Sequence, residues 1–349
     1  MPRPSHRTTL EDLEISSIGL GTYLGPCDAA SDARLLKVLQ RGSELGINFV
    51  DTAANYRGGR SERVIGKFLR GLPPSDADQW VVGTKAGILP YDPEGAAGLS
   101  DERYFKQTYL ETGVVRREWI CGDWQCYHPT YLEWQIERSL TALGRRRIDV
   151  FYFHNPEAAL LTTTRAEFEV IMRRALRWGG AMVRAGYIRY LGIASWAGLL
   201  GLSEIESLDL FALTAWAYEE GAGESLRFIQ APVSAAMPQA FLKKSQRLAS
   251  GKEVSLVACA AELGQHVIAS APLFNGKLLE VACPPELQNA VGSHEPAQAY
   301  LEFTRSAPGV EVALIGTLSV AHIEKAAQLL ERPPVRDGVL RFLRGETST

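Results

Sequence analysis

One stretch of the chain, YLEWQIERSLTALGRRRIDVFYFH at residues 131–154, contains the unit that decides the fold. Residues 131–143 have the spacing of apolar side chains that is typical of an amphipathic helix, and Gly144 is a good helix stop. The apolar run 149–154 predicts a buried strand. The stretch is therefore a helix followed directly by a strand, and layered α/β folds are built from such units.

The same alternation extends over most of the chain and predicts a barrel. We predict eight strands, at 17–22, 48–52, 80–85, 149–154, 188–195, 227–233, 266–272 and 312–316. Helical patterns lie between most of them, at 30–45, 61–72, 131–143, 164–185, 251–263, 296–306 and 320–330. Eight strand–helix units with right-handed crossovers favour an α/β fold of the closed (β/α)8 TIM barrel type. We expect one domain over residues 1–349, with a C-terminal tail at 333–349.

Glycines after the first predicted strand leave a second fold open. Gly19, Gly21 and Gly25 lie between a strand and a helix, as in the phosphate-binding fingerprint of a doubly wound dinucleotide-binding domain. The third glycine comes one residue late, however, and the helix begins only after Asp28. This spacing makes a two-domain enzyme of that type the weaker alternative.

The composition of the chain excludes several classes of function. Of its 349 residues, 46% are hydrophobic and 22% are charged, which is typical of a globular protein with a large core. A net charge of -3 gives no reason to expect nucleic acid or an anionic membrane as a partner. No window approaches the ~18 apolar residues of a membrane span. Five cysteines without a disulfide spacing predict a reducing, cytoplasmic location.

Cys121, Cys126 and His128 are the cysteines and histidine that come close enough in sequence to suggest zinc. Their spacing is irregular and a fourth ligand is missing, so no metal site is predicted.

The longest interruption of the alternation, residues 88–130, is rich in aromatic side chains. Long loops inside compact domains are usually functional, and a loop after a barrel strand lies at the catalytic face. We therefore predict that this loop after the third strand covers the barrel mouth and supplies walls of a substrate pocket. The alternative is that its rings pack against the outer helices or a neighbouring subunit. The rings are Tyr91, Tyr104, Phe105, Tyr109, Trp119, Trp124 and Tyr127.

Four polar side chains lie at or just after the ends of the second, third and fourth predicted strands. They are Asp51, Tyr56, Lys85 and His154. Taken singly, each has a structural explanation, such as a capping carboxylate or a histidine at a strand end. A closed barrel, however, places the carboxyl ends of neighbouring strands around one mouth. We therefore expect the four side chains to converge on one site.

Together these four groups have the chemistry of an acid catalyst. Asp51 neutralises Lys85, and the charge of Lys85 favours the phenolate of Tyr56, which predicts a tyrosine pKa below its reference of about 10. Tyr56 can then donate a proton to a carbonyl oxygen that His154 orients. None of the four is a hydride source, so the reduction of a carbonyl requires a nicotinamide cofactor.

The chain resembles the aldo/keto reductase family over nearly its whole length. The most specific motifs are Asn48-Phe-Val-Asp-Thr-Ala-Ala-Asn-Tyr56 and Gly59-Arg-Ser-Glu62, followed by Thr84-Lys85. Segments 139–144 and 153–156 match the sequence that leads to the family's histidine. The resemblance implies a (β/α)8 barrel, NADP(H)-dependent reduction of carbonyls, and a catalytic tetrad formed by the four residues named above.

By this resemblance, Ser195 and Gln230 hold the nicotinamide carboxamide. The family usually has Asn after the serine, whereas this chain has Trp196. Segment 269–278 resembles the part that binds the pyrophosphate, and Ser270 stands where an aromatic ring commonly stacks on the nicotinamide. The cofactor-binding residues expected in this segment are Ser270, Leu273, Gly276 and Lys277.

Segment 314–324 resembles the part of the family that binds the adenosine phosphate. The family's basic residue for the 2′-phosphate is replaced here by Leu318 or Ser319, with Arg57, Lys277 and Lys325 as substitutes. A phosphate without its cation binds less tightly. We therefore expect NADP(H) as the cofactor, with weak discrimination against NAD(H). The residues implied at the phosphate are Gly316, Thr317, Ser319 and Glu324.

These patterns predict an NAD(P)H-dependent oxidoreductase that reduces an aldehyde or ketone, or oxidises the corresponding alcohol. Tyr23, Trp124 and Trp196 are expected to contact this small-molecule substrate. Two alternatives stay open. A redox-neutral epimerase or lyase would use Tyr56 and Lys85 for acid–base chemistry, and a non-enzymatic subunit would only sense the cofactor. Titration with reduced cofactors separates the three.

Overall fold

Eight parallel strands close into a barrel in the computed structural model, which describes residues 7–346. The strands are β1 (Ile18–Gly21), β2 (Phe49–Asp51), β3 (Val81–Ala86), β4 (Ile148–His154), β5 (Ile188–Ala194), β6 (Leu226–Pro232), β7 (His266–Ser270) and β8 (Val310–Gly316). Each strand pairs in parallel with the next, and β8 pairs with β1, where Gly316 lies opposite Gly21. The (β/α)8 prediction is confirmed. The doubly wound alternative is wrong because the sheet closes on itself.

A helix follows each strand. These helices are α1 (Ala29–Glu44), α2 (Arg60–Arg70), α3 (Pro129–Leu143), α4 (Arg165–Arg184), α5 (Leu210–Glu219), α6 (Leu256–Glu262), α7 (Pro296–Ser306) and α8 (Val320–Ala327). The sequence analysis did not predict α5, whose residues LFALTAWAYE are apolar around most of the helix. An amphipathic period arises only where one face is polar, so nothing in this sequence distinguishes a helix there. Within residues 7–346, every helix is too short or too polar to cross a membrane.

The C-terminal tail at 333–349 contains a further helix, α9 (Arg336–Leu343). Val339 of α9 is buried in one apolar cluster with Leu287 and Val291, which belong to the short helix Pro285–Val291. Residues 347–349 lie outside the described part of the chain. Most of the tail is therefore packed on the barrel's helical layer.

Side chains from the strands fill the interior of the barrel. Phe49, Val150, Phe228 and Val312 are fully buried members of this inner cluster. The strand β4 is buried at each of its seven positions, which explains why it reads as a continuous apolar run.

An N-terminal hairpin, formed by Arg7–Leu10 and Leu13–Ser16, packs on the same inner cluster. Its turn is held at the amino ends of two barrel strands. The hydroxyl of Tyr190 in β5 donates to Asp12 Oδ1 at 2.7 Å, and His266 Nε2 in β7 lies 3.1 Å from Glu11 Oε1. The hairpin therefore covers the amino-terminal end of the barrel and leaves the carboxyl ends of the strands for the site.

Residues 88–130 fold into short elements. They are a helix (Asp101–Phe105), a π-helical turn (Lys106–Leu110) and a hairpin (Ile120–Cys121 with Gln125–Cys126). The segment follows β3, and the hydroxyl of Tyr127 donates to the backbone oxygen of His154 at 2.7 Å. The segment therefore contacts the carboxyl end of β4.

The aromatic rings of this segment pack largely on one another and on α3. The ring of Tyr109 lies 5.6 Å from that of Trp134 and 6.3 Å from that of Tyr131. The ring of Trp124 stands edge-on to that of Phe105 at 5.0 Å. This arrangement matches the alternative in which the rings pack against an outer helix.

Candidate active site

The carboxyl ends of the strands surround a cavity of about 490 Å³. Asp51, Tyr56 and His154 line its base, between the ends of β2 and β4. From there the cavity continues past the ends of β5, β6 and β7 to the end of β8. The residues that line this continuation include Ser195, Trp196, Gln230, Ser270, Leu273, Gly276, Gly316, Thr317, Leu318 and Ser319.

A buried lysine links the polar groups at the base of the cavity. Lys85, only 1% exposed, donates from Nζ to Asp51 Oδ1 at 2.5 Å and to the backbone oxygen of Thr52 at 2.8 Å. The third contact of Nζ is with Tyr56 Oη at 3.2 Å. The structure thus brings together three of the four residues that the sequence predicted to converge, with Lys85 in direct contact with the other two.

The fourth residue, His154, lies beside the tyrosine. The rings of His154 and Tyr56 are 5.8 Å apart and meet edge to face. Burial, reinforced by the charge of Lys85, holds the pKa of His154 well below its usual value. The imidazole is therefore neutral at physiological pH, so it has one N–H to donate.

Tyr56 begins a tight turn that fixes its direction. The next residues, Arg57 and Gly58, have left-handed φ angles of 51° and 61°. A Cβ at position 58 would lie 2.5 Å from Pro93 Cδ, so this close approach requires glycine. The guanidinium of Arg57 is buried and pairs with Asp32 at 2.6 Å. The turn that follows the tyrosine is therefore held by two contacts, one at Arg57 and one at Gly58.

Burial raises the pKa of Tyr56 above its ordinary value of 10.0, and the charge of Lys85 opposes this effect. The expectation of a tyrosine pKa below that value is therefore wrong in its direction. The physical reason is that the phenolate loses more hydration in the cavity than the single ammonium restores. At neutral pH Tyr56 holds its proton, as a proton donor must.

Gln230 connects the predicted carboxamide site to the buried ion pair. Its Nε2 donates to Asp51 Oδ2 at 2.7 Å, while Lys85 occupies the other carboxylate oxygen. Among residues 7–346, no group donates to the Gln230 amide oxygen. That oxygen is therefore available as an acceptor at the cavity wall.

A buried glutamate that the sequence analysis missed holds the loop after β5. Glu157 Oε1 accepts hydrogen bonds from the hydroxyl of Ser195 at 2.9 Å and from the backbone N–H of Trp196 at 2.8 Å. It also accepts from the amides of Ala197 and Gly198, at 3.1 and 3.4 Å. Burial raises the pKa of Glu157 despite these donors. A carboxylate three residues after the strand end at His154, in Asn155-Pro156-Glu157, was the signal available in the sequence.

We expect Glu157→Ala to lower the free energy of unfolding by about 2–4 kcal/mol, because the variant leaves several buried donors without an acceptor. Glu157→Gln keeps an acceptor oxygen and is expected to stay within about 1 kcal/mol of the parent. Because the pKa of Glu157 is raised by folding, its ionisation costs stability as pH rises, and the Gln variant lacks this dependence. Urea unfolding of both variants at several pH values measures this. Equal losses in both would contradict the assignment.

The three aromatic residues that were expected to contact the substrate do not all line the cavity. Tyr23, 62% exposed, and Trp196, 44% exposed, line the cavity, and the ring of Tyr23 lies 5.2 Å from that of Tyr56. Trp124 lies outside the cavity lining. Its ring packs edge-on against Phe105, within segment 88–130, and its contact with substrate stays a prediction.

Two of the residues implied at the cofactor lie away from the cavity. Glu324 pairs with Arg41 at 2.7 Å and faces a separate surface depression. Lys277 is outside the cavity lining, with its ammonium 5.5 Å from the ring centre of Phe274. Two proposed substitute cations are also engaged, since Arg57 pairs with Asp32 and Lys325 with Glu295. The expectations for Glu324, Arg57 and Lys325 are corrected, because an ion pair holds each side chain, whereas Lys277 is exposed and its role at the cofactor stays a prediction.

The residues that line the cavity without having been assigned to it from the sequence include Asn155 and Arg34. Asn155, just after β4, has a left-handed φ of 49°, and its backbone N–H donates to Ala194 O at 2.6 Å. Arg34 reaches the cavity from α1. Neither position follows from strand ends alone, because one depends on a loop conformation and the other on helix packing.

The chain is thus a (β/α)8 barrel with a buried Asp–Lys–Tyr site and an adjacent histidine at the carboxyl ends of its strands. Residues 17–217 match the sequence model of the aldo/keto reductase family, and the chain belongs to that family. A D-threo-aldose 1-dehydrogenase from Pseudomonas sp is 34% identical over 131 residues, which are 37% of this chain and 36% of that protein. An NADH-specific methylglyoxal reductase from Escherichia coli (strain K12) is 27% identical over 192 residues, 53% of this chain and 49% of that protein.

An aldo-keto reductase from Klebsiella pneumoniae, solved in complex with NADPH, has the same fold. Its TM-score is 0.64 at 18% sequence identity, over 97% of this chain and 94% of that chain. The chain spans less than half the length of the two curated relatives, at 36% and 49%.

Proposed function

We propose that this chain is an NAD(P)H-dependent oxidoreductase that reduces an aldehyde or ketone to an alcohol, or catalyses the reverse reaction. The observation that carries the proposal is the contact of Tyr56 Oη with the buried ammonium of Lys85 at 3.2 Å, at the base of a cavity. In this arrangement, the acid Tyr56 lies beside a cation, which stabilises the negative charge that remains after Tyr56 donates its proton. Membership of the aldo/keto reductase family supports the same reaction.

The donor and acceptor groups of the cavity fit a nicotinamide dinucleotide. The free amide oxygen of Gln230 suits the carboxamide amine, and Asn155 can supply the amide donor that Trp196 lacks. The hydroxyl of Ser195 donates to Glu157 and accepts from the N–H of Leu199, which leaves one lone pair as an acceptor for the cofactor. When bound, this cofactor supplies the hydride. Proteins solved or named with NADPH and with NADH occur among the similar proteins.

The loop after β7 supports a binding role for the middle of the cavity. Ala271, Phe274 and Asn275 have left-handed φ angles of 52°, 48° and 54°. Such angles cost on the order of 1 kcal/mol or more each for non-glycine residues, and they cluster at ligand-binding segments. We assign Leu273 and Gly276 of this segment to the cofactor's pyrophosphate and Ser270 to the nicotinamide, as the family resemblance implies.

Tyr56 donates its proton to the carbonyl oxygen of the substrate in this proposal. His154, neutral and buried, donates a hydrogen bond to the same oxygen. Lys85 stabilises the phenolate that forms, and Asp51 keeps the lysine charged and in place. Gln230 holds the second oxygen of Asp51, so the carboxamide site and the acid site share one hydrogen-bonded chain.

The raised pKa of Tyr56 favours reduction at neutral pH. Reduction requires the protonated phenol, which is the form that burial preserves. The reverse oxidation requires the phenolate, whose population falls tenfold for each unit by which the pKa exceeds the pH. We therefore propose carbonyl reduction as the working direction.

The substrate that suits this cavity is a small, uncharged carbonyl compound. The ammonium of Lys85 is fully engaged by Asp51 and Thr52. Arg34 lines the end of the cavity at Leu318 and is the other basic group that could attract a substrate carboxylate. Tyr23 and Trp196 present aromatic surface beside the acid. Relatives of this chain carry names that refer to methylglyoxal and D-threo-aldoses. The five free cysteines support a cytoplasmic location for this activity.

Titration and turnover of the parent protein test the proposal. We expect at least one reduced cofactor to bind with a Kd on the order of 1–100 μM, and its absorbance to fall when a neutral aldehyde is added. An otherwise matched aldehyde that carries a carboxylate is expected to react more slowly. Absence of binding at millimolar cofactor would refute the proposal. Turnover of substrate without consumption of bound cofactor would instead support the epimerase or lyase alternative.

A further inference from the structure

We propose that Arg34 binds the phosphate on the adenosine ribose of the cofactor, and that the chain therefore prefers NADPH to NADH. The proposal rests on the proposed function, because it concerns the cofactor of the same site. It places the required cation on α1, whereas the family resemblance implies one in segment 314–324. The sequence alone predicted weak discrimination between the two cofactors, and the geometry of α1 reverses that expectation.

Arg34 lies where the adenosine end of the cofactor belongs. Its Nε donates to the backbone oxygen of Leu318 at 3.1 Å. Arg34 and Leu318 line the same end of the cavity as Ser319 and His322, just before and within the first turns of α8. This is the segment that the family resemblance assigns to the adenosine phosphate.

The other cations near this end are held elsewhere. Arg57 is paired with Asp32 at 2.6 Å, Lys325 with Glu295 at 3.1 Å, and Arg41 with Glu324 at 2.7 Å. Arg34 is the one lysine or arginine among the lining residues, within the part of the chain that the structure describes. A phosphate at this end therefore meets a single uncompensated cation.

The guanidinium of Arg34 has two terminal nitrogens that are open to a phosphate. Leu318 occupies its Nε, and no carboxylate at residues 7–346 pairs with its two terminal nitrogens. Those nitrogens form a planar pair of donors that matches two phosphate oxygens. NADH has a hydroxyl in place of this phosphate, so it leaves the guanidinium unpaired. The free energy of this charged contact is therefore gained by NADPH alone.

Equilibrium titration of Arg34→Met tests the proposal, because methionine keeps most of the apolar stem and removes the charge. We expect the parent chain to bind NADPH at least tenfold more tightly than NADH, measured by quenching of tryptophan fluorescence. In the variant, the Kd for NADPH is expected to rise about 10- to 100-fold, while that for NADH changes less than threefold. The same contrast is expected between 2′,5′-ADP and 5′-AMP, which probe the adenosine end alone.

Arg41→Met provides the matched control, since Arg41 lies on the same helix and pairs with Glu44 and Glu324 outside the cavity. It is expected to leave all four Kd values within threefold. Equal affinity of the parent for NADPH and NADH, or an unchanged NADPH affinity in Arg34→Met, would overturn the role of Arg34 while carbonyl reduction stands. Binding of neither cofactor to the parent would overturn both proposals.

Discussion

Replacement of Tyr56 by Phe is expected to lower kcat for carbonyl reduction by roughly two to four orders of magnitude, because the variant removes the hydroxyl that donates the proton, together with its contact to Lys85. The ring is retained, so its edge contacts with Tyr23 and His154 persist. The Kd of the reduced cofactor is therefore expected to stay within about threefold. Stopped-flow measurement of cofactor oxidation separates the chemical step from product release.

Tyr187→Phe is the matched control for this substitution. Tyr187 is 49% exposed and lies just before β5, at the opposite end of the barrel from the cavity. Its variant removes the same hydroxyl group and is expected to keep the parent's kcat. If Tyr56→Phe also kept kcat within a factor of a few, Tyr56 would not be the acid.

Replacement of Lys85 by Met is expected to lower both activity and stability. The buried charge of Asp51 loses its partner, which typically costs about 3–5 kcal/mol of unfolding free energy. Burial already raises the pKa of Asp51, and loss of Lys85 raises it further. A carboxyl whose folded pKa is raised loses stability as pH rises from its ordinary pKa of 3.8 to the folded pKa, so the variant is expected to lose stability as pH rises above the ordinary carboxyl range.

The same substitution is expected to act on the two reaction directions unequally. Without the ammonium, the pKa of Tyr56 rises further, because Lys85 is the group that opposes the effect of burial. Oxidation of the alcohol requires the phenolate. The rising limb of the pH–rate profile for oxidation is therefore expected to move to higher pH. Reduction is expected to fall by roughly two orders of magnitude, because the developing phenolate loses its cation.

A double variant keeps this prediction testable if the single variant unfolds. Asp51→Asn combined with Lys85→Met removes both charges, so stability is expected to return close to that of the parent while activity stays low. Lys252→Met, at an exposed position, controls for the substitution itself. Normal activity with an unchanged pH profile in the double variant would show that Lys85 is only a structural partner of Asp51.

The barrel and the base of the site were predictable for a common reason. Asp51, Lys85 and His154 end three neighbouring strands, and closure of the sheet fixes where strand ends meet. The period of the apolar residues was sufficient to identify those strands. The pKa of Tyr56 was not predictable, because its direction depends on how deeply the phenol is buried as well as on its charged neighbour.

The remaining site residues depend on loop conformation and helix packing. Glu157 acts through its side-chain contacts with a loop 38 to 41 positions later in the chain, which no local pattern reveals. Arg34 reaches Leu318 across 284 positions. The direction of the Trp124 ring could not be predicted for the same reason, because aromatic content does not specify which way a ring points.

Within residues 7–346, the N-terminal hairpin covers the amino-terminal end of the barrel, so the carboxyl ends of the strands form its single open rim. We expect reactants bound over Tyr56 in the proposed reaction to displace the water above it. In the proposed mechanism, the phenolate left after each turnover recovers its proton across the same rim. An alcohol that still lies over Tyr56 keeps solvent from that oxygen, so we expect reprotonation of the enzyme to follow the release of product.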